Sequence, residues 1–389
     1  MRKVISFVVV ACAAGFAQSP RNIMGWGDEV APADAVSRGM GEAGAAIRSD
    51  KSWDPRLEAR SAYNTLAAFE VQIAPQLVWV DDDATSNSLS GSRLPRLSLS
   101  VPMGRFGHLG IGYWQRFQRT FEWAPENDSS IALRAEGGAF EGVLGYSVVV
   151  PGVRNLALGV TYHRFLGTDR VFQEEKRQFP DEYYPVVIRD SVSNRYWGGQ
   201  ASVSAYWTKG DIDAGFWVDL PGEVELTTER GATSQVFPEP EPRTVDAPQS
   251  MGVSGAWRFA PKQTAVALLS RTEWDPDALS STDGKNPRWD VGAGWQYAMG
   301  GDRFDDYFKR MTFRAGLSGS VGGPQSLLSE SATLGAGMPL GSMGTLDLSL
   351  QIGQNEVDDG GPKLKDSFVR LYVAITGASL WGRSQRSRR

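Results

Sequence analysis

The feature that most constrains this chain is a strict two-residue alternation, clearest at residues 366–381, DSFVRLYVAITGASLW. Val369, Leu371, Val373 and Ile375 take the odd places, with Arg370, Tyr372, Ala374 and Thr376 between them. A β-strand turns successive side chains to opposite faces, so this segment has one apolar and one mixed polar side. The pattern recurs upstream. Leu346, Leu348, Leu350 and Ile352 interleave with Asp347, Ser349 and Gln351, and Trp289, Val291, Ala293 and Trp295 with Arg288, Asp290 and Gln296. Fourteen strands can be laid out, about 67–80, 94–103, 107–123, 130–150, 155–170, 185–208, 211–227, 249–259, 263–274, 287–299, 309–321, 327–339, 343–354 and 366–378. The apolar residues change phase within 130–150 and 263–274, which predicts bulges there. In 107–123, Gln115 and Arg119 fall on the apolar phase and put its register in question.

The connections alternate as well. Gly104-Arg105-Phe106, Pro151 to Arg154, Lys209-Gly210, Pro261-Lys262 and Leu340 to Ser342 are tight turns. Between them fall longer polar links at 81–93, 167–184, 222–248, 275–286 and 355–365. Long on one side and short on the other is how a barrel is written when its outside faces lipid and its inside faces water. Residues 300–308 are long for a short-turn side, and 322–325 are short for the other. A β-sandwich would not require this asymmetry, and a propeller would show a blade repeat, which is not found. The predicted fold is all-β: a single transmembrane antiparallel barrel of about 14 strands with an N-terminal luminal plug segment.

Composition fits. A mean hydropathy of −0.30, with no apolar run after the N-terminus near the roughly 18–20 residues of a spanning helix, argues against helical spans. Aromatics near strand ends, among them Trp79, Trp123, Trp207, Phe259, Trp274, Tyr297 and Trp381, suit interfacial girdles. Residues 1–17 read as a signal peptide: Arg2 and Lys3, an apolar core, then Gly15 and Ala17 before Gln18. Cys12, the only cysteine, lies inside it, in a stretch that also resembles a lipoprotein box. The division predicted is signal peptide 1–17, luminal segment 18–60, barrel 61–381 and basic periplasmic tail 382–389.

Residues 37–46, SRGMGEAGAA, are too rich in glycine for a good helix or strand and suit close backbone packing. This stretch resembles the N-terminal motif of the FadL-like long-chain fatty acid transporter superfamily, including PorV-type proteins. The resemblance implies a fourteen-stranded outer-membrane barrel with a plugged lumen. Arg38, Gly39, Met40, Gly41 and Gly44 match the motif. Where the family continues Asn-Pro-Ala-x-Leu, this chain has Asp54-Pro55-Arg56-Leu57, with Asp for Asn and Arg for Ala.

Inward-phase residues are the candidates for function. Arg314 and Arg370, with Glu70, Arg116, Arg134, Glu136, Asp213, Arg258, Asp290 and Asp347, would face a wet interior. Trp114, Tyr206, Trp217 and Tyr372 share that phase and would either offer apolar surface to a ligand or pack against 18–60. Of two histidines, His108 falls at a turn and is expected to be solvated, while His163 faces the lumen. No hydrolase, zinc or phosphate motif is present, so the expectation is a non-enzyme without catalytic residues, metal or cofactor. The resemblance implies passive passage of small hydrophobic molecules, fatty-acid-like or aromatic, across the bacterial outer membrane. The other readings are a PorV-like partner of secretion machinery and a general porin. Expected partners are outer-membrane lipid and lipopolysaccharide, a hydrophobic small molecule or a secretion-machinery protein. No basic stripe for nucleic acid is present.

Overall fold

The computed structural model describes residues 28–379 except 82–85, 120, 124–130, 178–185, 233–238, 240, 276–286, 302–304, 324–326, 342–343 and 358–363. The expected signal peptide with Cys12, Trp381, the basic tail and parts of the longer polar links, including Asp82-Asp83, Asp181-Glu182 and Asp358-Asp359, lie outside the described residues.

Fourteen antiparallel strands run in chain order: β1 Ala67–Asp81, β2 Ser86–Pro102, β3 His108–Gln118 continued by Phe121–Trp123, β4 Ile131–Val149, β5 Leu156–Arg177 and β6 Val186–Lys209. β7 is Ile212–Asp219 with Glu223–Ala232, and β8 is Pro242–Asp246 with Gln249–Ala260. β9 Gln263–Glu273, β10 Arg288–Ala298, β11 Thr312–Gly322, β12 Leu327–Leu340, β13 Gly344–Val357 and β14 Leu364–Ser379 complete the set. Pro221 and Pro248, which have no N–H for the ladder, mark the breaks in β7 and β8. β14 returns to β1 from Lys365↔Asp81 to Ser379↔Ala67, so the sheet closes. The wall is uneven: β5 and β6 have 22 and 24 residues, against 11 each in β9, β10 and β11.

The outer face is apolar and uncovered, with Leu317 66%, Leu334 64% and Trp257 57% exposed. A belt of that kind suits hydrocarbon rather than water. Trp79, Trp207 and Phe259 stand on this face near strand ends.

Several expectations need correction. β2 starts at Ser86, so the link proposed at 81–93 is mostly strand. β5 likewise continues to Arg177, through much of the link proposed at 167–184. β4 pairs with β5 without a register shift; the shift lies in β3, between Gln115 and Phe117, and buries Gln115, Arg116 and Arg119 alike. The irregularity expected in 263–274 sits in its neighbour β8, between Trp257 and Ala260. Arg134 and Glu136 are exposed rather than luminal, because the β4 phase that buries Ala135, Ala139, Glu141 and Val143 turns them outward. Trp274 is no girdle residue; it is buried in a luminal apolar cluster. His108 is 1% exposed, with Nδ1 3.4 Å from Glu58 Oε1, because the luminal segment covers it.

Residues 30–64 pack inside the ring. Met40, Ala43, Ala46, Ile47 and Leu57 share one apolar cluster with the inward-facing Tyr206, Trp217 and Leu268. On the β10–β12 side backbone meets backbone. A Cβ on Gly316 would lie 2.2 Å from the Met40 carbonyl carbon, and one on Gly41 (φ +62°) 2.3 Å from the Leu317 oxygen. Glycine at both surfaces is what allows this approach. Gly316→Leu is therefore expected to destabilise the packed barrel by about 1–3 kcal/mol, the usual cost of overpacking. Equilibrium urea unfolding in detergent, followed by tryptophan fluorescence, measures it; a wild-type midpoint would count against this packing.

Candidate functional site

The wall has an interruption. β2 and β3 pair only from Pro102↔His108 to Arg96↔Trp114. Farther out, among the described wall strands, β2 pairs only with β1 and β3 only with β4. Pro95 stands where pairing stops, and it cannot donate to the ladder. The freed edge of β3 is taken by the luminal segment instead: Asp28 and Glu29 are the Cα partners of Gln118 and Phe117, and Val30 N–H donates to Arg116 O at 2.8 Å.

Beside the interruption lies a belt of charge. Glu29 receives Arg116 from β3 at 3.3 Å and Arg288 from β10 at 2.5 Å, so one carboxylate ties two parts of the wall. Arg116 also stands 3.7 Å from Glu141 Oε1, and Arg288 lies 2.9 Å from Asp290. Glu141 Oε2 is 3.0 Å from His163 Nδ1, and His163 Nε2 is 3.1 Å from Ser202 Oγ. An acid–histidine–serine order can serve nucleophilic catalysis only with donors ready for an oxyanion. Ser202 is 3% exposed; it lies within the β5 ladder opposite Thr161 and at the end of the first β7 ladder opposite Asp219. Among the described residues no group of three or more His, Cys, Asp or Glu side chains could hold a metal.

Phe117, Phe165, Tyr196, Val224, Leu226 and Trp274 form a second buried apolar cluster inside the ring. It joins the charged belt through Arg288, whose guanidinium lies 5.1 Å from the Trp274 ring centre. Inward residues near the interruption are cationic: Arg93 donates to Gln76 at 2.7 Å, and Arg96 sits 3.8 Å from Glu70.

The residues singled out in the sequence mostly grip the luminal segment. Tyr206 Oη donates to Ala46 O at 3.4 Å, and Arg56 lies 5.9 Å from the Trp217 ring. Arg38 is stacked over Tyr372 at 4.5 Å. Arg314 holds Asp347 at 2.6 Å, and its side chain lies against Gly39. Trp114 packs with Trp53 of the luminal segment and, edge-on, with His163. Arg370 donates to Gln76 at 3.0 Å. Gly44 backs onto Met40 and Ser37, and Asp54 accepts from the Arg56 amide at 3.1 Å ahead of Pro55. Sequence reasoning missed Glu29, which sits in no motif, and Pro95, whose place inside an alternating stretch was the available signal.

No protein-family model and no curated protein sequence matches the chain. Solved structures do. A FadL homologue of Pseudomonas aeruginosa superposes with a TM-score of 0.60 at 13% identity, over 92% of this chain and 100% of that one. The Pseudomonas putida toluene transporter TodX gives 0.57 at 12% identity, over 91% and 99%. The monoaromatic hydrocarbon channel CymD gives 0.54 at 12% identity, over 90% and 98%.

Within the luminal segment Arg60 is the fastener. Its guanidinium donates to Ala45 O and Ile47 O at 2.9 Å and to Ser52 O at 3.2 Å, and lies 3.3 Å from Asp34. Asp34 in turn caps the short helix Ala35–Arg38 by accepting from Ser37 N–H at 2.8 Å. Burial opposes the Asp34 charge, but Arg60, Arg96 and the Ser37 hydrogen bonds outweigh it and hold the carboxyl well below its usual range. A lowered folded-state pKa keeps this stabilisation whole above the ordinary carboxylate value of about 3.9, and it is lost as pH falls through the lower folded value. Amides of 35–47 are therefore expected to be as protected from hydrogen exchange at pH 4 as at pH 7. Arg60→Ala, which strands a buried carboxylate, is expected to cost about 3–5 kcal/mol of that protection. Equal protection in the variant would sink this assignment.

Proposed function

We propose, for a chain with the fold of the FadL-like outer-membrane barrels, that it lies in a bacterial outer membrane and passes small hydrophobic molecules down their gradient. Fatty-acid-like or aromatic molecules fit the surfaces available. The observation that carries this reading is the end of β2–β3 pairing at Arg96↔Trp114. An unpaired stretch of wall offers a sideways exit to the bilayer, and the apolar cluster around Phe117, Phe165 and Trp274 lies on its luminal side. Residues 30–64 act as the plug, because they occupy the ring below that cluster and touch strands on both sides. A molecule bound among the aromatics can leave sideways only when Asp28–Glu29 gives up the β3 edge. The structures of similar fold include a toluene transporter and a monoaromatic hydrocarbon channel, which supports the same substrate class.

The cysteine pair Asp28→Cys with Gln118→Cys tests this. Both positions are Cα partners, and the natural chain holds a single cysteine, Cys12. Antiparallel partners stand about 4.5–5.5 Å apart, within disulfide reach. Oxidation is expected to lower uptake of a fluorescent hydrophobic probe at least about tenfold, and reductant to restore it. Uptake that ignores the lock, together with a secretion component that co-purifies with the barrel, would favour the partner reading. Stable ion conductance in planar bilayers would favour a general porin.

A further inference from the structure

The outer face of β10–β14 and β1 carries a groove of about 850 Å³. Its floor is small, with Ala293, Gly319 and Ala332, and its sides are Trp79, Leu317 and Ile352. Glu330, Gln354 and Ser367 cross it as consecutive Cα partners on β12, β13 and β14, and the Gln354 amide donates to Glu330 Oε1. Each lies three residues from the outer end of its strand, at Leu327, Val357 and Leu364. The next row inward is Ala332, Ile352 and Val369; the next row outward is the exposed Leu328, Glu356 and the exposed Lys365. Glu330 is itself exposed. The three rows thus read, from mid-membrane outward, as an apolar slot, a hydrogen-bonding row, and a mixed row whose one cation, Lys365, stands opposite Glu356.

A carboxylate at the margin of hydrocarbon is costly unless donors meet it. A bare acyl chain has none. A second copy of the chain set symmetrically on this face would bring two Glu330 side chains together, which like charge disfavours. We propose that the groove binds a phosphorylated, amide-acylated glycolipid of the outer leaflet. An acyl chain lies over Ala332 and Gly319, amide N–H and sugar hydroxyl groups donate to Glu330 and Gln354, and a phosphate meets Lys365. The inference rests on the outer-membrane placement proposed above and is independent of transport.

The test is native mass spectrometry of the full barrel, freed of lipid in detergent and titrated with purified diphosphoryl lipid A or with phosphatidylethanolamine. One equivalent of lipid A is expected to bind at least about tenfold tighter than the phospholipid. Glu330→Leu with Gln354→Leu is expected to weaken it roughly tenfold or more, as loss of charge-assisted hydrogen bonds does. Ala332→Trp should abolish binding by filling the slot, and Lys365→Ala should weaken diphosphoryl but not dephosphorylated lipid A. Heat-modifiable gel mobility checks that each variant is folded, and probe uptake should stay at the wild-type level in all of them. Equal binding of both lipids, unchanged binding in the double variant, or a dimer that the double variant disperses would each overturn the proposal. Fractionation of the protein away from the outer membrane would instead refute the placement.

Discussion

A strand in hydrocarbon has no water to satisfy an unpaired edge, so a transmembrane sheet must close on itself. Here β14 meets β1 along most of its length and removes the free edges at the two ends of the sheet. The interruption between β2 and β3 is where the described wall departs from that requirement. Its consequences spread inward. Pro95 ends the ladder, the vacated β3 edge needs a partner, and Asp28 to Val30 supply one from inside the ring. The luminal segment is thus also a substitute strand for a wall left incomplete.

Two unlike kinds of contact hold that segment. Toward β10–β12 it is held by glycine-to-backbone approach around Met40 and Gly41, which tolerates no added atom. Toward β3 it is held by the strand pairing of Asp28 to Val30 and by charge, through Glu29 and Arg116, with His108 near Glu58. Close packing is short-ranged and nearly all-or-none, whereas ion pairs stretch and exchange partners with water.

Much of the architecture was legible because alternation is a direct record of which side chains see lipid. Leu346 to Ile352 and Val369 to Ile375 needed only their spacing. The errors arose where a strand leaves the membrane or where another surface covers it. Arg134 and Glu136 stay on the outer face of β4, where phase alone had put them inside. His108 looked solvated at a turn until the luminal segment was seen to bury it. Trp274 sits at a strand end, as girdle residues do, but on the other face. The candidate site was less legible. Inward tryptophans and tyrosines could be named from phase, but whether they meet ligand or plug is a long-range matter. Glu29 carries no local pattern at all; its role depends on arginines 87 and 259 residues away in the chain (116 − 29 and 288 − 29).

The uneven rim has its own consequence. β6 outruns β9 by 13 residues (24 − 11), roughly 40 Å along the strand at about 3.3 Å per residue. Among the described residues the wall at β5 and β6 therefore stands well above the wall at β9 to β11, and the ring is cut obliquely rather than square to its strands.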